Sequence, residues 1–145
     1  MRKPSHILTD EEITCVKAEA DAIGVPDSIL RFNKGGRTGF RDEDMRISVR
    51  GDILPDTLGT TPRDTMSIRA VLAHEYYGHY KNHPSEYPRG YWMDEFRASY
   101  DAAVNAPNLS SEDRRNLMLD AYDRAKEAGE TIEMTDEARR IIYGF

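Results

Sequence analysis

Cysteine is nearly missing from this chain: Cys15 is the only one among 145 residues. An internal disulfide is thereby excluded, and the composition suits a reducing compartment, so a cytoplasmic setting is expected. Cys15 falls in a helical pattern with Ile13 and Val16, which predicts a packed thiol rather than a nucleophile. Long apolar runs are missing too. No stretch approaches the roughly 20 residues that cross a bilayer, and no apolar segment follows Arg2 and Lys3 to make a signal peptide. Membrane attachment is therefore not expected. Positive charge is in deficit as well: a net charge of −6 argues against nucleic acid as the main partner, because phosphate binding calls for the opposite sign. Repeats and low-complexity tracts are absent, and the length suits a single domain, 1–145, with a real core.

What is present begins with well-marked helices. Thr9, Asp10, Glu11 and Glu12 form a capping box for a first helix that runs to about Ile23 and stops at Gly24. Extended runs follow at Ser28–Phe32 and Arg37–Phe40, separated by a turn at Asn33–Gly36. A third run, Met45–Arg50, alternates apolar and polar residues and reads as a half-buried strand. After a loop from Asp52 to Thr60, Thr61-Pro62-Arg63-Asp64 opens one long helix reaching about Asn82. Trp92 or Met93 starts another, which Asn105-Ala106-Pro107 ends. Ser110 caps a further amphipathic helix carrying Leu117, Leu119, Ala121, Tyr122 and Ala125, stopped by Gly129, and a short last helix begins near Thr135. These two look like scaffold without chemistry.

The chemistry concentrates in His74-Glu75-Tyr76-Tyr77-Gly78-His79. Two neutral imidazoles and an adjacent carboxylate base are what a zinc hydrolase needs. The usual spacing is H-E-x-x-H, with the histidines four apart on one helix face. Here they are five apart. On a regular α-helix residues four apart differ by about 40° around the axis and residues five apart by about 140°, too far to grip one ion. A π-bulge absorbs the extra residue and restores a common face. Gly78, without a Cβ, would ease that distortion. Other pairings stay open at this point. His79 and His83 are four apart, although Pro84 biases His83 out of the helix. Glu75 and His79 could simply hydrogen-bond, and a solvated helix can carry two histidines by chance.

A third ligand lies beyond the breaker-rich segment from His83 to Gly90. Two helices joined by such a loop can lie antiparallel, which brings Glu95 opposite His74 and His79. Two histidines and a glutamate leave a fourth position open, as a catalytic zinc site does. Asp94 is the rival ligand, and both acids also suit a helix N-terminus on charge grounds alone.

His74-Glu75-x-x-Gly78-His79 followed by Asp94-Glu95-Phe96-Arg97-Ala98-Ser99 resembles the signature of the dipeptidyl peptidase III family of zinc peptidases, H-E-x-x-G-H with a later E-E-x-R-A-E. Carried over by position, the resemblance makes His74, His79 and Glu95 zinc ligands and Glu75 the general base. It covers only His74 to Ser99, in a chain several times shorter than the family's enzymes, and Ser99 stands where the motif ends in glutamate. The looser likeness is to a minimal gluzincin, a form that also occurs as toxin or effector modules. It implies an α+β, zincin-like fold: a sheet of about three strands packed with an active-site helix and three to four further helices.

The expected activity is zinc-dependent cleavage of peptide bonds in a protein or peptide substrate, with Glu75 taking a proton from water. Tyr91 and His83 are the candidate donors to the developing oxyanion. Met45–Arg50 or a neighbouring strand could align substrate by strand addition, although an ordinary sheet strand accounts for it equally. Support for the histidines should come from carboxylates or carbonyls. Ser99 replaces the acid expected one turn after Glu95, and Asp101 points elsewhere. Two other readings make different predictions. A catalytically inactive zincin-like binding domain keeps metal but cleaves nothing, and a metal-free helical interaction domain binds no zinc.

Overall fold

Local patterns of capping and burial account for most of the architecture in the computed structural model, which describes residues 5–32 and 36–144. The described residues form six α-helices, a π-helix and a three-stranded mixed sheet, an α+β arrangement. Helix α1 (Asp10–Ala22) begins at the Thr9 capping box, with both reciprocal hydrogen bonds made, and Gly24 leaves it at a positive φ of 77°. It buries Val16 and Ala20 and turns Cys15 outward. The expected packed thiol is therefore exposed, because the inward stripe runs through Val16 and not its neighbour.

The sheet has the order β1-β3-β2, with β1 (Leu30–Phe32) parallel to β3 (Arg46–Val49) and β2 (Gly39–Arg41) antiparallel to it. Part of the run expected to be extended from Ser28 is instead a 3₁₀ turn at Asp27–Ile29. Of the expected turn at 33–36, residues 33–35 lie outside the described residues. Strand β3 departs from its expected half-buried character. Ile47, Ser48 and Val49 are all buried, because β3 is the central strand and is covered on both faces. Met45 precedes it at a φ of 53° and is not part of the strand. A central strand has no free edge, so Met45–Arg50 cannot take up a further strand; its neighbour β2 is an edge strand.

The long helix expected from Thr61 is broken into three pieces. Helix α2 (Pro62–Thr65) starts at the Thr61 cap, but Met66 is extended (φ −56°, ψ 137°) and Ser67 caps a new helix, α3 (Ile68–Ala73), by accepting from the Ala70 N–H. A second strong N-cap inside the run restarts the helix in a new direction. Ala70, Val71, Leu72 and Ala73 are all buried, so α3 passes through the core and delivers the next turn there. That next turn is a π-helix, His74–Tyr80. Helices α4 (Trp92–Asn105), α5 (Ser111–Glu127, capped by Ser110) and α6 (Asp136–Tyr143, capped by Thr135) complete the chain. α4 packs between the π-helix and α5. Among the described residues no helix is long and apolar enough to cross a membrane.

Candidate metal centre

The π-helix begins at His74, where the five-residue spacing calls for it. The Lys81 N–H reaches back five residues to the Tyr76 carbonyl at 2.9 Å. The wider turn brings the two imidazoles together: their ring centroids are 4.8 Å apart, and His74 Nε2 lies 3.2 Å from His79 Nε2. Tyr76 and Tyr80 stack at 5.1 Å on another side of the same turn, as packing rather than chemistry. The Asn82 amide donates to the Gly78 carbonyl at 2.9 Å and to Asp101 at 3.0 Å, which ends the π-helix and ties it to α4.

Gly78 is required here mainly by its neighbour. A Cβ at this position would collide with the Ala98 carbonyl oxygen and sit 2.7 Å from the Ala98 Cα. The π-helix and α4 thus touch backbone to backbone, at a glycine on one side and a fully buried alanine on the other. This approach brings Glu95, one turn before Ala98, across to the histidines. Its Oε2 lies 2.9 Å from His74 Nε2 and 3.3 Å from His79 Nε2.

Among the described residues, His74, His79 and Glu95 form a group able to hold a metal ion. Tetrahedral zinc with bonds of about 2.0–2.1 Å to nitrogen or oxygen places its ligand atoms about 3.3 Å apart. The three edges here, 2.9, 3.2 and 3.3 Å, fall close to that value. The tautomers also suit an ion. The Ser99 hydroxyl donates to Asp120 Oδ2 at 2.6 Å, so its oxygen is left to accept from His74 Nδ1–H at 2.8 Å. His74 Nε2 is then the nitrogen turned toward Glu95 Oε2 and His79 Nε2, where an ion would be held. On His79, Nδ1 faces Asp94 Oδ2 at 3.6 Å and Nε2 faces inward. Asp94 therefore stands behind His79, and its other oxygen accepts from the Ser85 hydroxyl at 2.6 Å. The residues fit zinc.

Burial pushes the Glu95 carboxyl up, but hydrogen bonds from His74 and His79 and their charges outweigh it and hold Glu95 far below the ordinary carboxylate range. Burial pulls His79 down, and this too is outweighed, by the hydrogen bond to Glu95 and the charges of Glu75, Glu95 and Asp94, so His79 is raised.

Glu75 is buried beside the triangle, and its Oε1 accepts from the Phe40 N–H on β2 at 3.1 Å. Phe40 turns both backbone groups away from β3, and its carbonyl accepts from Arg89 at 3.0 Å. Two cavities meet here, sharing Arg37, Thr38, Glu75 and Glu95 in their walls. One, of about 420 Å³, runs between β2 and the loop that carries His83 and Tyr87. The other, of about 560 Å³, lies against Arg63, Asp120 and Arg124. His83 lines the first cavity, its ring 5.7 Å from that of Phe40. Tyr91 lines neither. It precedes α4, is 47% exposed, and packs on Tyr87 and Trp92.

Helix α5, expected to be scaffold, supplies two residues to the site. Asp120 is fully buried, and Arg124 reaches Glu95 Oε2 at 3.4 Å. A signal for Asp120 existed: it lies one turn after Leu117 and next to Ala121, an acid set among the buried apolar residues of α5. Comparison with known protein families, curated proteins and solved structures returns no match for this chain.

Proposed function

We propose that this protein is a zinc-dependent peptidase of a minimal, zincin-like form. The observation that carries the reading is the convergence of His74 Nε2, His79 Nε2 and Glu95 Oε2, with the Glu75 carboxylate beside them in a cleft. A bound zinc ion supplies Lewis acidity, which polarises a carbonyl and makes water acidic near neutral pH. Everything else falls to the chain. Glu75 is anchored through Oε1 by the Phe40 N–H, which leaves its second oxygen to accept a proton from water and pass it to the leaving amine. His83 in one cavity and Arg124 in the other are the donors placed to meet a developing oxyanion; Tyr91 is not. The β2 edge borders the cleft; its Phe40 N–H is held by Glu75, so a substrate backbone can pair there only at the Phe40 carbonyl, by displacing Arg89. Two cavities that meet at Glu75 and Glu95 give room for chain beyond the reacting bond, which suits an internal bond rather than a terminal one.

A non-catalytic, metal-binding reading is favoured by one observation: the hydrogen bond to Phe40 gives Glu75 a structural reason to be there. Glu75→Gln separates the two, because glutamine keeps an oxygen acceptor for Phe40 but loses the base. The test is a degenerate peptide library with both termini blocked, incubated with the zinc-loaded protein and read by mass spectrometry. The expected outcome is internal cleavage by the wild type and a loss of at least 100-fold in Glu75→Gln with zinc retained, in line with the usual contribution of general base catalysis of about 10²–10⁴. Cleavage by neither protein, with zinc bound in both, would favour the binding domain.

A further inference from the structure

One fully buried carboxylate on α5 touches the supports of two of the three ligands. Asp120 Oδ2 accepts from the Ser99 hydroxyl at 2.6 Å, and the Ser99 oxygen in turn accepts from His74 Nδ1–H at 2.8 Å. Both Asp120 oxygens lie 3.3 Å from Arg124 Nε, four residues on along the same helix, and Arg124 Nη1 reaches Glu95 Oε2 at 3.4 Å. The path closes on itself, since His74 Nε2 meets Glu95 Oε2 at 2.9 Å. Arg63 Nε stands 3.5 Å from Asp120 Oδ1 and keeps the buried charge compensated from α2.

The position of Asp120 is costly unless it has a use of this kind. A buried carboxylate must be paired and hydrogen-bonded, and a hydrophobic residue on this stripe would pack without either requirement. Ser99 is equally buried, and its hydroxyl has a single donor proton. With that proton fixed on Asp120, the serine oxygen can only accept, and His74 keeps its proton on Nδ1. Without Asp120 the hydroxyl is free to turn and donate to Nδ1, which places the ring proton on Nε2, in the middle of the ligand triangle. In the same way Arg124, held at Nε by Asp120, has a fixed direction in which to present Nη1 to Glu95.

We propose that Asp120 is the positioning residue of this centre: it sets the tautomer and orientation of His74 through Ser99 and the orientation of Glu95 through Arg124. The inference rests on the metal-ligand reading of His74 and Glu95, but half of it can be read in the metal-free protein.

The experiment compares wild type with Ser99→Ala, Arg124→Gln, Asp120→Leu, which removes the acceptor at similar volume, and a core control on the same helix, Leu117→Val. For each, long-range nitrogen-15 NMR of the histidine rings at alkaline pH, without metal, reports which nitrogen of His74 carries the proton. Competition with a chelator reports zinc affinity. The expected result is a His74 protonated at Nδ1 in wild type, Arg124→Gln and Leu117→Val, and shifted toward Nε2 protonation in Ser99→Ala and Asp120→Leu. Zinc affinity is expected to fall about 10-fold in each single-arm variant and up to about 100-fold in Asp120→Leu, the range that support of ligands commonly contributes. Leu117→Val should lower thermal stability and leave both readouts in place. Wild-type tautomer and affinity in Asp120→Leu would overturn the proposal, as would an equal loss of affinity in the core control. If wild type binds no zinc, the metal reading fails on its own. The His74 tautomer then decides the serine arm: a shift in Ser99→Ala and Asp120→Leu upholds it, and an unchanged ring rejects it.

Discussion

His79 and Glu95 depart from ordinary ionisation in opposite directions, and each departure has a consequence for stability. Glu95 titrates below its ordinary value of 4.5, so the stability it contributes is present above 4.5 and is lost as the pH falls through its depressed value. His79 titrates above its ordinary value of 6.5, so its contribution is complete below 6.5 and is lost as the pH rises through its raised value. The metal-free protein should therefore gain most from this pair between pH 4.5 and 6.5, and its melting temperature should decline on the alkaline side. Thermal melts of chelator-treated protein across that range check this; Glu95→Gln should flatten the alkaline decline, and a melting temperature that climbs steadily from pH 5 to pH 8 would contradict it. Zinc displaces the same proton, so its affinity should rise with pH over the interval in which the apo protein weakens. At this scale the grouping of His74, His79 and Glu95 was legible, because metal chemistry restricts which side chains can serve and at what spacing. Ser99, Asp120 and Arg124 were not, because their partners lie 21 to 29 positions away in sequence and nothing local to α5 says what its buried acid faces.

Among the elements, the contact between the π-helix and α4 decides whether the ligands can meet. Gly78→Ala puts a methyl group against the Ala98 backbone, where neither side can rotate away. Overpacking of this kind typically costs about 1–3 kcal/mol. We expect Gly78→Ala to lose stability in that range by urea denaturation and to bind zinc more weakly than wild type, because separating the helices carries Glu95 away from the histidines. Unchanged zinc affinity in a destabilised Gly78→Ala would show that the approach serves packing alone. The π-turn could be inferred from the sequence because a spacing of five leaves no other way to bring two histidines to one face. The reason for Gly78 could not, since backbone approach involves an element 20 residues further on. The break at Met66 was hidden for a different reason: Ser67 is a good N-cap, but the Thr61-Pro62 start upstream is a stronger local signal, and both are used. Strand β3 was misjudged as half-buried because alternation reports one covered face, whereas Ser48 is buried by its place in the middle of the sheet.

For the molecule as a whole, the candidate ligands come from two segments, held by β2 at Glu75 and by α5 at Glu95 and His74. An ion bound there joins parts of the chain that are otherwise linked by packing and side-chain hydrogen bonds, and it binds the folded state only. At a free zinc concentration 1,000 times the dissociation constant, such binding stabilises by about 4 kcal/mol. For a chain of this size that corresponds to a rise in melting temperature of about 10 °C, reversed by a chelator. The coarse α+β class was readable from the capping signals and short extended runs, while the sheet order, which makes β2 the edge bordering the cleft, follows from long-range pairing that no local pattern encodes. The most direct test is the metal content of protein purified without an affinity tag, wild type beside Glu95→Gln and His74→Ala. About one zinc per wild-type chain is expected, weakened or lost in both variants. No zinc in wild type after incubation with the metal, or equal zinc in all three, would contradict the metal-ligand reading.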